Sequence, residues 1–378
     1  MPKTVVTSPQ LMQPIAHFSH GVRVGTTIHL GAAAGVDRER RLVGAGAGVG
    51  DAGAQADQMF ANLRLALGAL GGDWSKVVKV KSYIVDWRDL AAYETVRSKA
   101  LDAVQAATGT VGTWGFPLPQ ILLEAELVAS LEPVERFGAA SGEGGASARV
   151  GGLHFCTATP SPAGSGPVAP FDVQVAEVLR TLESTLERAN LRPSDVVMVN
   201  LSIADVRNLP VFVGAFQRVF RPPFPALSVV GAPLAGAGQL IELESTATAG
   251  GGAAVGDGEP AALPASPGML AGDWLFVSAM GDGAPDAGAQ TRQAWQKIAA
   301  VAEAAGMGLE DVVRTNNVLT DWRDYAAFNA GYGEFVSRPY PPRATVHGQL
   351  AAPGARVQIE AILHRQGRHA TVLEAQGR

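Results

Sequence analysis

The sequence predicts an α+β fold in which one small unit is built three times along a single chain. Two observations predict it. The first is a repeated stretch. Asp311-Val-Val-Arg-Thr-Asn-Asn-Val-Leu-Thr-Asp321-Trp-Arg-Asp324 has altered copies from Val77 to Val96 and from Val196 to Ala215. Asp86, Asp205 and Asp321 mark the same point in the three copies, at intervals of 119 and 116 residues. A period that long is domain-sized, so it signals tandem units rather than a solenoid. The second observation is what precedes each copy: an alternating apolar run broken by a glycine turn, then an amphipathic helix.

Each unit opens with a hairpin pattern. Unit 1 has Gly21-Val-Arg-Val-Gly-Thr-Thr-Ile-His-Leu-Gly31 around Gly25-Thr26. Unit 2 has Ala148 to Thr157 around Gly151-Gly152, and unit 3 has Gly268 to Ser278 around Gly272-Asp273. Alternation about a glycine turn is the hairpin signal. A helix follows. Val175, Val178, Leu179, Leu182 and Leu186 fall on one helical face. Ile298, Val301, Ala302 and Ala305 do so in unit 3, and Phe60, Leu63 and Leu67 in unit 1. Gly71, Asn190 and Gly306 suit left-handed caps at the ends of these helices. The marker strand comes next, then a second helix at about 90–106, 209–220 and 325–336. A final hairpin is expected to close each unit, its last strand at 121–129, 239–247 and 355–364.

The expected organisation is unit 1 over residues 1–130, a linker at 131–147, unit 2 over 148–248, a linker at 249–267, unit 3 over 268–366 and a tail at 367–378. The linkers are rich in Gly, Ala, Ser and Pro and read as flexible connectors, the tail as frayed. Each small sheet, with helices on one face, has a second face to bury. Packing the three sheets together, helices outside, gives a pseudo-trimeric β-barrel core.

Composition narrows the function. The chain has 378 residues, 47% hydrophobic and 17% charged, which is globular rather than disordered. Net charge is −5 and no Lys/Arg run stands out, so no nucleic-acid partner is expected. Cys156 is the single cysteine, which excludes an internal disulfide or a cysteine zinc site, and no His/Asp/Glu cluster has metal spacing. The first residues lack the apolar core of a signal peptide, and no apolar run is long enough to span a membrane. A cytoplasmic protein with no membrane partner is expected.

Three segments together resemble the RidA (YjgF-like) family of enamine/imine deaminases. They are Phe18-Ser-His-Gly-Val-Arg-Val-Gly25, the strand leading to Asp86, and Tyr340-Pro-Pro-Arg343-Ala-Thr345 with Val357-Gln-Ile-Glu360-Ala-Ile362. The resemblance covers nearly the whole chain, three times over. It implies ββαβαβ, chorismate-mutase-like units. Family members are typically homotrimers with ligand sites in the clefts between subunits, so this chain is expected to be a fused trimer; whether it dimerises is left open. The implied activity is cofactor-free hydrolysis of 2-enamine or 2-imine acids to 2-keto acids and ammonia. An arginine fork would hold the carboxylate, and a carboxylate with a small polar residue would place a water.

Carried over by resemblance, the arginine is Arg343. Unit 2 has Leu227 there, and unit 1 has Thr110 or Gly109 in a loose alignment. The glutamate is Glu124 in unit 1 and Glu242 in unit 2, but Gln358 in unit 3. The hydroxyl position after the first hairpin is Ser278, Thr157 or Gly31. The helix asparagine is Asn329, against Glu94 and Val213. The aromatic is Phe18, and the small polar residue after the arginine is Thr345. Unit 3 thus concentrates substrate-binding residues, Arg343, Ser278 and Asn329, with Thr345 and Gln358 placing a water. Gln358 cannot move a proton. Arg343 and Gln358, 15 residues apart across the expected hairpin, are expected to be cross-strand neighbours. A glutamate from unit 1 or unit 2, Glu124 or Glu242, would complete the Arg343 cleft if the site straddles an interface.

Blander readings stand beside these. Arg343 could pair with an acidic residue at an interface, and Glu124 and Glu242 could be structural remnants. Glu126, Glu244 and Glu360, present in all units, read as architectural. His29, His154 and Cys156 read as packing, and Trp87 and Trp322 as packing and helix capping. His347 is either a proton carrier near Arg343 or an exposed strand-end residue. The expected function is a diverged enzyme acting on a small carboxylate-bearing enamine, imine or related unsaturated intermediate in a specialised pathway, by hydrolysis, tautomerisation or another proton transfer. The alternative is a catalytically silent module that binds a carboxylate or assists a partner enzyme. A ribonuclease or translation-inhibitor role, also attached to the family, fits poorly with the acidic charge.

Overall fold

The structure, a computed structural model, describes residues 2–46, 50–102, 104–138, 146–161, 167–257, 263–281, 283–368 and 370–373. Each unit carries two helices: α1 Ala52–Ala69 and α2 Leu90–Ala100, α3 Phe171–Arg188 and α4 Leu209–Val219, α5 Ala287–Ala304 and α6 Tyr325–Gly333. Asp51 and Asp286 cap α1 and α5 by accepting from Ala54 N–H at 2.9 Å and Ala289 N–H at 2.8 Å. After the first helices, Gly71, Asn190 and Gly306 take positive φ, as the capping argument requires.

The marker strands are Val77–Ile84, Val196–Ile203 and Val312–Leu319. Asp86, Asp205 and Asp321 end them and start the next turn by accepting from the N–H of Arg88, Arg207 and Arg323. The capping group is therefore the aspartate, not the tryptophan after it.

No final hairpin forms. In each unit the edge strand (Ala107–Gly112, Ala226–Gly231 or Arg343–His347) runs parallel to the marker strand. The closing strand (Leu123–Ser130, Ile241–Thr248 or Val357–His364) slots between the marker strand and the first hairpin, antiparallel to both. Two apolar strands in succession look like a hairpin in sequence, but a crossover separates them here. Arg343 and Gln358 thus lie on opposite sides of the marker strand and are not neighbours.

The parallel register also settles the loose alignment. Thr315 pairs with Arg343, Val199 with Leu227 and Val80 with Thr108. The unit 1 counterpart of Arg343 is Thr108.

The described strands form three separate sheets of seven, seven and six strands, and none closes on itself. The closed barrel expected from the sequence is therefore not formed by strand pairing. The inner faces do meet: Val22, Val78, Phe155, Val197, Phe276 and Val313, from all three units, belong to one buried apolar cluster. Three further clusters fill the helix side of each sheet.

The units are also stitched together. Gln349–Leu350 of unit 3 extends the unit 2 sheet, and Leu234 of unit 2 bridges to Val111 of unit 1. Thr113 of unit 1 exchanges hydrogen bonds with His347 of unit 3. Parts of the expected linkers are strands: Glu135–Phe137 and Ala253–Val255. The tail is not frayed where it is described, since Ala370–Leu373 pairs in parallel with Lys3–Val6. Much of the first linker, residues 139–145, lies outside the described residues.

Candidate functional site

The first-hairpin strand of each unit packs beside the edge strand of another. Thr27–Ala34 of unit 1 meets the unit 3 edge strand, Leu153–Ala158 of unit 2 meets that of unit 1, and Trp274–Met280 of unit 3 meets that of unit 2. Three equivalent clefts result, each with a glutamate position from one unit and an arginine position from the other.

Only the unit 1–unit 3 cleft holds both residue types. Arg343 is 5% exposed. Its Nη2 donates to Oδ1 of Asn329 at 2.6 Å and to the hydroxyl of Tyr325 at 3.3 Å. Its guanidinium carbon lies 4.8 Å from the centre of the Tyr332 ring, 5.6 Å from Phe328 and 5.9 Å from Phe18, the last supplied by unit 1. Aromatic faces stabilise a cation without consuming its donors. Nη1 is buried and has no partner.

Gly31 explains how close the units come. A Cβ there would lie 2.9 Å from the Arg343 backbone nitrogen, closer than a side chain tolerates. The serine or threonine of the other units would not fit at this place. The loop before the first hairpin seals the cleft: Ser19 N–H donates to the Pro341 carbonyl, and His17 packs edge-on against Tyr340.

Beside this lies a cavity of about 360 Å³, lined by unit 1 residues together with Tyr325 of unit 3. Phe18 and Tyr325 both line it and lean on Arg343, which itself does not line it. Glu124 lines it too. Burial, then the neighbouring Glu126, pushes the Glu124 carboxyl up to about 8.

The other two clefts are taken up by protein contacts. At the unit 2–unit 1 boundary Lys81 Nζ lies 2.7 Å from Glu242 Oε1 and 3.0 Å from Glu244 Oε2. Thr108 stands at the arginine position there. At the unit 3–unit 2 boundary Leu227 stands at that position, and Gln358 Nε2 donates to Ser228 Oγ at 2.7 Å. Ser278, on the same hairpin strand that faces unit 2, belongs to this boundary as well. Thr345 is buried one turn of the pleat from Arg343 and accepts from Asn317 Nδ2 at 3.2 Å.

The structure brings Arg343 and Asn329 together, sets Glu124 on the wall of the neighbouring cavity, and keeps Gln358, Ser278 and Glu242 at the other two boundaries. His347 is not beside the guanidinium: its Nε2 lies 2.9 Å from the Thr320 carbonyl, and its ring packs against Trp114 and Trp322.

The recurrent glutamates point to the shared interior. Glu126 accepts from Arg314 and Asn316, Glu244 pairs with Lys79 and Lys81, and Glu360 accepts from Asn200 of unit 2. Burial works against the Glu244 charge, but Lys79 and Lys81 overcome it and hold the carboxyl down at about 2. Among the described residues no group of His, Cys, Asp or Glu is arranged to hold a metal, and no helix is long and apolar enough to cross a membrane.

Sequence reasoning missed the cavity, because two irregular loops close the space beside the hairpin strand and α1. It also missed Gln55, Gln174 and Gln290, which clamp the chain entering each closing strand. Leu122, Leu240 and Arg356 donate their N–H to these glutamines at 2.9, 2.8 and 2.7 Å. Their spacing, 119 and 116 residues, equals that of the marker aspartates and was a usable signal.

A thrice-repeated α+β unit with ligand-sized space at a unit boundary defines the class of protein. The family model described as Endoribonuclease L-PSP matches residues 8–131, 157–249 and 259–364. The chain belongs to this family, the RidA/YjgF family. The RutC family protein y4sK of Sinorhizobium fredii is 37% identical over 115 residues, which cover 28% of this chain and 91% of that protein. A solved chorismatase superposes over 78% of this chain and 94% of its own, with TM-score 0.56 and 18% identity, a likeness of fold. A putative endoribonuclease L-PSP from Entamoeba histolytica covers 34% of this chain and 99% of its own, at 24% identity and TM-score 0.31.

Proposed function

We propose that this chain is a fused-trimer enzyme that hydrolyses a carboxylate-bearing imine or enamine, and that the reaction is centred on Glu124 and Arg343 in the unit 1–unit 3 cleft. One observation carries the reading. Glu124 stands on the wall of a ligand-sized cavity with its carboxyl near 8, beside a cleft that keeps a buried guanidinium nitrogen free. A group with both protonation states populated near neutral pH can take and return a proton in one cycle.

Arg343 Nη1 anchors the substrate carboxylate once the Phe18 or Tyr325 side chain swings aside. Asn329 and the aromatic cage hold the guanidinium in place while it does so. Ionised Glu124 takes a proton from water as its oxygen attacks C2 of the protonated imine. Glu124 then returns that proton to the amine nitrogen of the tetrahedral adduct. The C–N bond breaks, the carbonyl forms, and the hydroxyl proton leaves with ammonia as ammonium. Gln358 and Ser278, in another cleft, and Glu242, paired with Lys81, take no part in this proposal.

The test is release of ammonia and 2-keto acid from imines generated in situ by an amino-acid oxidase. Arg343→Ala and Glu124→Gln are each expected to abolish the acceleration. Full activity in both variants would remove the reading. The second reading, a silent carboxylate binder, draws on the screening of Arg343 from the cavity by Phe18 and Tyr325. It predicts binding of 2-keto acids without ammonia release.

A further inference from the structure

We infer that the unit 1–unit 3 cavity selects carboxylates with a bulky apolar body, aromatic or branched, over two- and three-carbon imino acids and over multiply polar ligands. This rests on the reading of the site given above and adds the class of substrate to it.

Size is the first argument. A volume of about 360 Å³ falls in the range of roughly 300–1,000 Å³ that holds drug-sized ligands. A three-carbon acid would leave most of it empty. Ala32, Ala33 and Ala34 on the hairpin strand and Ala66 on α1 keep the space open, since each puts a single methyl where a larger side chain would fill it.

The walls are the second argument. Leu11, Met12, Leu63, Pro117 and Ile121 line the body of the cavity. Two lining residues also reach solvent: Ile15 is 63% exposed and Leu118 53%. They come from the two unit 1 loops that border the cavity, so apolar surface continues to its edge.

The third argument is what the polar lining can still bind. Asn62 is spent: its amide donates to the Ala34 carbonyl at 3.0 Å and the Val36 carbonyl at 2.8 Å, and its oxygen accepts from Gln58. His20 is spent too, accepting from Ser8 N–H at Nδ1 while Nε2 lies 2.9 Å from the Met12 carbonyl. Tyr325 is turned to Arg343. Ser19 Oγ is buried without a partner, and Glu124 has no hydrogen-bond partner among the described residues. The free polar capacity is thus small and lies at one carboxyl, one hydroxyl and the guanidinium behind them. A sugar or a dicarboxylate would be stripped of water at groups the walls cannot satisfy. A ligand with one polar end and an apolar body would not.

The experiment is calorimetric titration of the full chain with phenylpyruvate, pyruvate and 2-oxoglutarate, the stable keto acids that share the imine's carboxylate. Phenylpyruvate is expected to bind about tenfold or more tightly than either of the others. Ala34→Leu, which intrudes on the cavity opposite Glu124, is expected to cut phenylpyruvate affinity by more than it cuts pyruvate affinity. Ile15→Ser, an exposed change that leaves the core intact, is expected to weaken phenylpyruvate severalfold. Pyruvate or 2-oxoglutarate binding as tightly as phenylpyruvate would overturn the inference, as would no binding of any of the three. The two readings fail separately. A preference for phenylpyruvate without imine hydrolysis keeps the substrate class and removes the enzyme. Hydrolysis without a size preference does the reverse.

Discussion

Nη2 of Arg343 donates to Oδ1 of Asn329 at 2.6 Å, and Nη1 of the same guanidinium is left buried without a partner. An unbonded donor on a buried charge is costly, which favours an anion at that nitrogen. Arg343→Lys keeps the charge but loses the fork, and Lys cannot reach Asn329 and a carboxylate together. The expected loss in kcat/KM or in keto-acid affinity is roughly 10- to 100-fold, from a charge-assisted hydrogen bond of about 1.5–3 kcal/mol. Unchanged affinity in the lysine variant would show that the fork is not used.

Glu124 links the site to pH. Its carboxyl titrates at about 8 in the folded chain against an ordinary value of 4.5. Between those values the folded chain holds a proton that the unfolded chain has released. The contribution is therefore fully present below the ordinary carboxyl value and is lost as pH rises through about 8. Glu124→Gln is expected to raise Tm over the wild type at pH 8, with the difference shrinking towards pH 4.5. A constant difference across that window would contradict the assignment. In the wild-type activity profile the same carboxyl is expected to appear as a limb with an apparent pKa near 8.

Lys81 supports two carboxylates, Glu242 at 2.7 Å and Glu244 at 3.0 Å. Lys81→Met leaves both in a low-dielectric interior. Breaking a buried pair by removing one partner costs about 3–5 kcal/mol, so a clear fall in Tm is expected. Adding Glu242→Leu is expected to restore part of it, because one unpaired charge goes with it. A double variant less stable than Lys81→Met would mean that Glu242 has other support.

Gln290 closes the entry to the unit 3 closing strand, donating to the Gly354 carbonyl at 3.0 Å and accepting from Arg356 N–H at 2.7 Å. Gln290→Ala removes both hydrogen bonds from these partly buried groups and is expected to cost about 1–3 kcal/mol in denaturant unfolding. No change in the midpoint would assign the clamp to the backbone alone.

The repeat was legible because the marker strand carries its own punctuation: an apolar run, then a capping aspartate, then a helix. Helix ends at Gly71, Asn190 and Gly306 were legible for the same local reason. The order of the last two strands was not, because apolar alternation does not say which neighbour a strand will choose. That one ambiguity placed Gln358 next to Arg343, when Val312–Leu319 lies between their strands. Residue types alone also could not show that Arg343 faces unit 1 or that Lys81 has claimed Glu242. Both depend on which units meet. Glu124 could be named as a candidate from its position, but its raised carboxyl comes from burial and the neighbouring Glu126, which depend on how unit 1 packs.

Of the three clefts, the one between unit 1 and unit 3 is the proposed site. A structure of the chain with a bound 2-keto acid decides between them. The predicted result is density in the unit 1–unit 3 cavity, with the carboxylate on Arg343 Nη1 and the keto carbon facing Glu124. Density at the Gln358–Ser228 boundary, or beside Lys81 and Glu242, with the Arg343 cleft unchanged, would contradict it.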